Sequence, residues 1–199
     1  MKGDNNKKQR KTIRIKEYDY SRVGNYFITI CTKNHCLFFN NEVVRQIAES
    51  KWIQIPNHFL NTVLDDWVIM PNHLHGIIFI GEKEPEKHPT RLINLKENNP
   101  QNKYQQVIPG SIGVIVRSYK AAVSRECRSQ GEDYFKWHRN YYEHIIRDDK
   151  ELYRIREYIY NNPLNWVLDR ENPESPRFDL LHDDYWRDIY SQVGFQWKK

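Results

Sequence analysis

Cysteine is scarce in this chain, and long apolar runs are missing from it. The 199 residues contain three cysteines, Cys31, Cys36 and Cys127, and no two of them have CxxC spacing. Such a set indicates neither a disulfide framework nor a zinc knuckle, so we expect a reducing, cytoplasmic setting. No apolar run approaches the length that spans a bilayer, which excludes a membrane anchor of that kind. The basic residues 1–16 are not followed by an apolar segment, and we therefore expect no secretory signal.

Positive charge and aromatic side chains are what the sequence does offer. Lysine and arginine number 31 against 26 acidic residues, and aromatic residues make up 14% of the chain, including 13 Tyr and 6 Trp. Cations interleaved with rings suit a phosphate backbone with unstacked bases, although a net charge of +5 is modest evidence alone. The length suits one core with tails, so we expect one domain.

Apolar periodicity predicts the element order β, α, β, β, α, β, α. Pro56 and Pro163 are expected to end the first and last helices, and Asp148-x-x-Glu151 is a capping-box pattern that begins the last one. This order predicts an α+β fold: a ferredoxin-like βαββαβ antiparallel sheet with helices on one face, plus an additional C-terminal helix. The predicted strands are 26–32, 62–70, 73–80 and 135–146, with 36–39 as a hairpin partner of the first, and the predicted helices are 41–55, 111–128 and 149–162.

Three segments fall outside this pattern. Residues 1–16 form a basic arm, residues 81–109 a polar insertion within the main domain 17–168, and residues 169–199 a C-terminal extension. The extension begins charged and proline-rich and ends with enough apolar residues to dock on the domain. It either covers the active cleft or completes the core.

Two histidines one residue apart begin the third predicted strand. In VIMPNHLHGIIFI, residues i and i+2 of a strand project from one face, so His73 and His75 would hold their imidazoles side by side. Two neutral imidazoles suit a divalent transition ion and leave positions open for water or substrate oxygen. The alternative is a chance His-x-His on a solvated strand face.

The last predicted helix offers a phenol and an amide at i and i+4. Its apolar stripe is Leu152, Ile155 and Ile159, and Tyr158 and Asn162 stand along the edge of that stripe. Docking through the stripe would present a nucleophile and a third metal ligand beside the sheet. The alternatives are a packing tyrosine and a helix-terminating asparagine, and the pair Tyr153 with Glu157 has the same spacing on the other side of the stripe.

The segments MPNHLHGIIFI, SIGVIVRSYKAAVSRE and WHRNYYEHIIRDDKELYRIREYIYNNPLNW together resemble the REP-associated tyrosine transposases. These are relatives of the single-strand insertion-sequence transposases within the HUH endonuclease superfamily. The resemblance runs from about residue 18 to residue 166 and makes 17–168 an HUH transposase-like catalytic domain. It implies that His73 and His75 are metal ligands, that Tyr158 of the Tyr-Ile-x-x-Asn-Pro motif is the catalytic nucleophile, and that Asn162 is the third ligand. The insertion and the extension depart from the family pattern.

The resemblance also implies the activity. A tyrosine transposase of this kind uses Mg²⁺ or Mn²⁺ to cleave and rejoin single-stranded, hairpin-containing DNA through a 5′-phosphotyrosyl intermediate. Relatives include domain-swapped dimers and monomers, so a homodimer and a monomer are both open.

Several basic and aromatic residues are candidate DNA contacts. Each set has an ordinary structural alternative: a solvated arm, a solvated helix face, or a strand with one buried side. The candidates are Lys11 and Arg14 in the arm, Arg117, Lys120 and Arg128 along one face of the second long helix, and Trp137 and Arg139 in the stretch that follows it.

Two further functions fit the same residues. One is a non-catalytic module that binds structured DNA or RNA. The other is a metal hydrolase in which His73, His75 and an acid such as Asp65 or Asp66 activate water. Formation of a covalent DNA–protein adduct separates all three functions.

Overall fold

The computed structural model describes residues 19–82, 108–169 and 171–176. In these ranges the chain forms strands β1 Gly24–Cys31, β2 Thr62–Ile69, β3 His73–Ile80 and β4 Tyr142–Ile146, helices α1 Glu42–Ile53, α2 Ile55–His58, α3 Ile112–Ser129 and α4 Asp149–Asn161, and 3₁₀ helices Lys33–His35, Phe38–Asn40 and Asn162–Leu168. The predicted order of long elements and the mixed α+β class are confirmed. No helix in these ranges is long and apolar enough to cross a bilayer.

The four strands form one antiparallel sheet in the order β2-β3-β1-β4. The central strand β1 pairs with β3 along its whole length, which sets Thr29 opposite His75 and Cys31 opposite His73. Both histidines therefore lie in the middle of the sheet, where the neighbouring strands can fix their rings.

Side-chain alternation divides the core into two layers. Helices α1 and α3 pack on one face of the sheet through a large cluster that includes Tyr26 and Ile28 of β1 and Leu74 and Ile78 of β3. Helix α4 packs on the opposite face through a smaller cluster: Phe27, Cys31, Ile77, Tyr142, Ile146, Ile155 and Ile159. His73 and His75 alternate with Leu74, so they face α4.

Local sequence explains where the helices begin. Asn41 caps α1 by accepting hydrogen bonds from the amides of Val43 and Val44, and Asp148 caps α4 by accepting from the amide of Glu151. Glu151 itself accepts from the Arg147 amide and from a ring nitrogen of His144, which ties α4 to β4. The five apolar positions that the sequence assigns to one face of α3 are all buried: Ile112, Ile115, Tyr119, Val123 and Cys127.

Two of the predicted strands are wrong: one is absent from the structure and the other is shorter than predicted. Residues 36–39 are not a hairpin partner of β1, because β3 and β4 already occupy both edges of β1 and the segment turns into a 3₁₀ helix instead. The last strand begins at Tyr142 and not at residue 135. Upstream of it, one isolated bridge joins Trp137 to Thr32, and the ammonium of Lys120 binds the carbonyl groups of residues 138–140.

Pro56, which is predicted to end the first helix, stands at the beginning of a new helix instead. Helix α1 ends at Ile53, and Pro56 stands in the first turn of α2, where a missing amide hydrogen costs nothing. The last helix does end before Pro163, as predicted, and Pro163 stands in the first turn of a 3₁₀ helix that follows α4 from Asn162 to Leu168. This continuation brings the chain back across the sheet face that carries the histidines.

Gly76 is a position where the fold has no room for a side chain, and Gly76→Ala should destabilise the protein. A Cβ there would lie 2.4 Å from Cζ2 of Trp52, which is fully buried in the α1 layer. Overpacking of this kind costs about 1–3 kcal/mol, which corresponds to a fall of roughly 2–12 °C in melting temperature for a domain of this size. Calorimetric melting of Gly76→Ala beside Gly81→Ala checks this, because a Cβ at Gly81 meets its nearest neighbour at an ordinary 3.4 Å. Equal melting of the two variants would contradict the prediction.

Candidate active site

The two histidines of β3 lie edge to face in the middle of the sheet. Their Nε2 atoms are 3.0 Å apart and both rings are buried. Burial lowers the pKa of His73, although nearby Asp169 works in the opposite direction, and burial together with the adjacent His73 lowers the pKa of His75 well below its usual value. Both imidazoles are therefore neutral near pH 7, which is the form that binds metal ions.

Neighbouring side chains fix the outer nitrogen of each ring. Asn72 uses its amide nitrogen on two backbone carbonyls, so its Oδ1, 2.8 Å from Nδ1 of His73, accepts a hydrogen bond from that nitrogen. Nε2 of His73 then carries a lone pair. Nδ1 of His75 lies 2.8 Å from the Thr29 hydroxyl, which donates or accepts as required. His75 can therefore turn either a proton or a lone pair toward His73 without losing its second hydrogen bond.

Tyr158 extends from α4 to the histidine pair. Its hydroxyl oxygen lies 3.3 Å from Nε2 of His75, and its ring packs edge-on against His75 and Phe27 at centroid separations of 5.3 and 6.1 Å. The ring is half-buried. Tyr153, the rival from the sequence, is 68% exposed on another side of α4.

Asn162 lies one turn beyond Tyr158, as the C-cap of α4 and the first residue of the 3₁₀ helix. Its side chain is buried, and its Oδ1 accepts no hydrogen bond from the described residues. The 3₁₀ helix then passes the histidines, with the Trp166 ring 6.1 Å from that of His73. It delivers Asp169, whose Oδ2 lies 3.8 Å from Nε2 of His73.

These groups fit a divalent cation. One nitrogen of each imidazole and one Asp169 oxygen lie within 4.8 Å of one another, and all three side chains are buried. Oδ2 of Asp169 is buried and has no donor within the described ranges, and the same holds for Oδ1 of Asn162, one helical turn beyond Tyr158. Orphaned oxygens beside neutral imidazoles are the ligand types that Mn²⁺ and Mg²⁺ accept.

The segment after Asp169 is held down by a buried carboxylate. Oε2 of Glu171 lies 2.9 Å from Nδ1 of His35 and 3.5 Å from Sγ of Cys31. Burial opposes its charge, but the hydrogen bond with His35 and the nearby histidines hold its pKa below the usual value. Cys31, His35 and Glu171 are thus a second group whose ligand atoms lie within 4.8 Å of one another.

Asp65 and Asp66, the acids considered for a water-activating site, do not stand with the histidines in the structure. Asp65 accepts two hydrogen bonds from the Arg156 guanidinium of α4, at 3.0 and 2.6 Å, and Asp66 is exposed. The acid that the fold brings to the pair is Asp169.

The candidate DNA contacts differ in their exposure to solvent. Arg117, Arg128 and Arg139 are exposed, whereas the Trp137 ring packs against aromatic neighbours and donates its Nε1–H to a backbone carbonyl of α3. Lys11 and Arg14 lie outside the described residues, as do the rest of the arm, most of the insertion and residues 177–199.

Lys120 has a structural partner, so Lys120→Met should lower stability before it affects DNA. Its ammonium donates to the carbonyl oxygens of His138, Arg139 and Asn140 at 2.6–3.3 Å, and burial lowers its pKa to about 8. Leaving such acceptors unsatisfied costs about 1–3 kcal/mol. Melting without DNA should therefore fall for Lys120→Met and stay unchanged for exposed Arg117→Ala. A Lys120→Met protein that melts like wild type but loses DNA affinity would reverse this assignment.

Sequence reasoning missed three side chains of the site. The sequence could have indicated Asn72, since this residue directly precedes His73 in the turn that begins β3. It could not have indicated Thr29, because only the β1–β3 register reveals it as the neighbour of His75. Asp169 falls in the predicted C-terminal extension, because no pattern in the sequence predicts the 3₁₀ helix that leads from Asn162 to Leu168 and brings Asp169 to His73.

Comparison with known proteins gives two sequence relatives in Haemophilus influenzae. An uncharacterised protein is 42% identical over 169 residues, which is 81% of this chain and 92% of that protein. A second protein, named provisionally as a REP-associated tyrosine transposase, is 24% identical over 181 residues, 87% of this chain and 89% of its own length. No protein-family model matches the chain.

One solved structure shares the fold. It is that of a REP-associated tyrosine transposase bound to a REP hairpin, with a TM-score of 0.52 and 21% sequence identity, covering 93% of this chain and 92% of the other.

Proposed function

We propose, from the premise that this chain belongs to the REP-associated tyrosine transposases, that it cleaves and rejoins hairpin-bearing single-stranded DNA through a covalent link to Tyr158. The observation that carries the proposal is the 3.3 Å approach of the Tyr158 hydroxyl to Nε2 of His75. A phenol held beside two buried neutral imidazoles is a nucleophile next to a metal-binding pair, which is what phosphoryl transfer to tyrosine requires.

Tyr158 performs the bond exchange. Its oxygen attacks the scissile phosphorus in line, a P–O bond to tyrosine forms, and the bond to the 3′ oxygen of the preceding nucleotide breaks. The products are a 5′-phosphotyrosyl protein and a free 3′-hydroxyl, so that over the whole step the phenolic proton ends on the 3′ oxygen. Reversal by a second 3′-hydroxyl rejoins strands without ATP.

His73 and His75 would hold the cation, with Asn162 as a further ligand. A divalent ion bound there supplies positive charge that offsets the charge growing on the phosphate oxygens. Asn72 and Thr29 hold the two rings so that their Nε2 atoms stay turned toward each other. The packing of the Tyr158 ring on Phe27 keeps the phenol beside them.

We take the sheet to be of the ferredoxin-like kind, which is supported by the order β2-β3-β1-β4 and by two helices on the face opposite α4. The exposed arginines Arg117, Arg128 and Arg139 remain the proposed phosphate contacts of the described residues, and Lys11 and Arg14 those of the arm.

The test is an adduct assay with end-labelled DNA. Single strands that carry hairpins of randomised stem and loop sequence, with single-stranded flanks, are incubated with the protein and Mn²⁺ or Mg²⁺ and resolved on a denaturing gel. A 3′ label should move to the protein, whereas a 5′ label should appear only on a shortened free fragment. Chelation of the metal should abolish both products.

Two results would overturn the proposal. Binding of hairpins without adduct in either metal would favour the non-catalytic module. Metal-dependent cleavage that never leaves label on the protein would favour the hydrolase.

A further inference from the structure

We infer that Asp169 is a further ligand of the cation held by His73 and His75, so that the segment following the 3₁₀ helix completes the metal site. This rests on the proposed function, since it concerns the same site.

One oxygen of the Asp169 carboxylate is buried without a hydrogen-bond donor among the described residues. Oδ1 of Asp169 accepts a hydrogen bond from the Glu171 amide at 2.7 Å, whereas Oδ2 is buried and accepts none from the described residues. A buried carboxylate oxygen without a donor is unfavourable, and such groups are retained where a cation or charged partner is bound. Oδ2 is turned toward His73, 3.8 Å from its Nε2.

A protonated His73 is a poor partner for this oxygen. The ring is fully buried and its Nε2 also faces Nε2 of His75 at 3.0 Å, while its Nδ1–H is used by Asn72. A divalent ion shared by both Nε2 atoms and Oδ2 would satisfy all three atoms at once. Two histidines and one carboxylate form a set that binds divalent first-row metals and leaves positions for substrate oxygens.

Hydrogen bonds within the protein hold the turn that carries Asp169. The Asn72 side chain donates to the Glu171 carbonyl, and the Glu171 side chain lies against His35 and Cys31. Nδ2 of Asn172 donates to the Trp166 carbonyl at 3.0 Å. Contacts within the protein therefore hold the turn, and they place the Asp169 carboxylate beside the histidines. A carboxylate adds a negative charge that the neutral amide of Asn162 does not, which strengthens the hold on a hard cation.

The test measures Mn²⁺ binding directly, by the spin-resonance signal of free Mn²⁺ during titration of the full chain. Asp169→Asn, a substitution of nearly equal shape that keeps an acceptor for the Glu171 amide, should weaken Mn²⁺ binding on the order of 10–100-fold. Glu174→Gln, which removes the same charge from an exposed position of the same segment, should leave it within twofold. Melting without metal shows whether each variant is folded, and Asp169→Ser is the substitute if Asp169→Asn is not.

The outcomes separate this inference from the proposed function. Unchanged Mn²⁺ affinity in Asp169→Asn, in a protein whose wild type binds Mn²⁺ and forms the DNA adduct, would overturn the role of Asp169 alone. Equal weakening in Glu174→Gln would also overturn it, because the effect would then be one of net charge. A wild type that binds no Mn²⁺ and forms no adduct would overturn the proposed function as well.

Discussion

Tyr158→Phe is expected to abolish covalent attachment of DNA while leaving the fold and hairpin binding intact. The variant loses only the hydroxyl 3.3 Å from His75, and the phenyl ring keeps its edge-on contacts with His75 and Phe27. Loss of a nucleophile removes the covalent step itself, so the yield of labelled protein should fall at least about 1,000-fold. Denaturing gels with 3′-labelled hairpin strands measure the yield, and a filter-binding titration measures affinity on the same samples.

Helix α4 provides its own matched controls. Tyr153 and Tyr160 lie on either side of Tyr158 in the sequence of the same helix and are 68% and 79% exposed. Tyr153→Phe and Tyr160→Phe should form adduct like wild type. Adduct formation by Tyr158→Phe, or its loss in Tyr153→Phe, would instead assign the chemistry to the rival pair Tyr153 with Glu157.

That His73, His75 and Tyr158 lie together in the fold could be predicted because each half of this group lies in one regular element. Alternation along β3 puts His73 and His75 on one face without any knowledge of the neighbouring strands. Along α4, the buried Ile155 and Ile159 set which side docks, and that choice fixes the direction of Tyr158. Short-range periodicity therefore predicts which side chains share a face in each half of the site. The apolar stripe of α4 predicts that this helix packs on the sheet, and the structure shows that it does.

The rest of the site depends on contacts between distant parts of the chain. Thr29 and His75 are 46 residues apart and meet only because β1 and β3 pair in one particular register. Asp169 reaches His73 only because the chain continues as a 3₁₀ helix through Pro163, although a proline after a helix ordinarily marks its end.

A similar limit applies to Lys120. Helical periodicity puts it on a polar face with Arg117 and Arg128, and such a stripe is compatible with phosphate binding. The loop of residues 138–140 folds back over that face and takes the ammonium as its hydrogen-bond donor. The sequence of α3 alone cannot predict that a loop from another part of the chain binds Lys120.

His75→Ala is expected to remove both metal-induced stabilisation and adduct formation. If His75 is a ligand, wild type at Mn²⁺ a hundredfold above its dissociation constant gains about 2.7 kcal/mol, which is roughly 5–11 °C in melting temperature for a domain of this size. The variant should lose most of this shift, because one imidazole cannot hold the ion as two do. Its adduct yield should fall on the order of 100–10,000-fold, since metal ions contribute several kcal/mol to charge stabilisation in such transfers.

The metal dependence of melting separates a ligand role from a structural one. His75 is buried between Thr29, His73 and Tyr158, so its removal also leaves a cavity and lowers the melting temperature without metal. That loss should be the same with and without Mn²⁺ if His75 is structural, whereas a ligand role makes the gap between variant and wild type widen as Mn²⁺ is added. His58→Ala removes an exposed histidine of α2 and should retain the full Mn²⁺ shift and the full adduct yield. If the melting-temperature difference between His75→Ala and wild type stays constant as Mn²⁺ is added, and the variant still forms adduct, then His75 is neither a metal ligand nor required for the reaction.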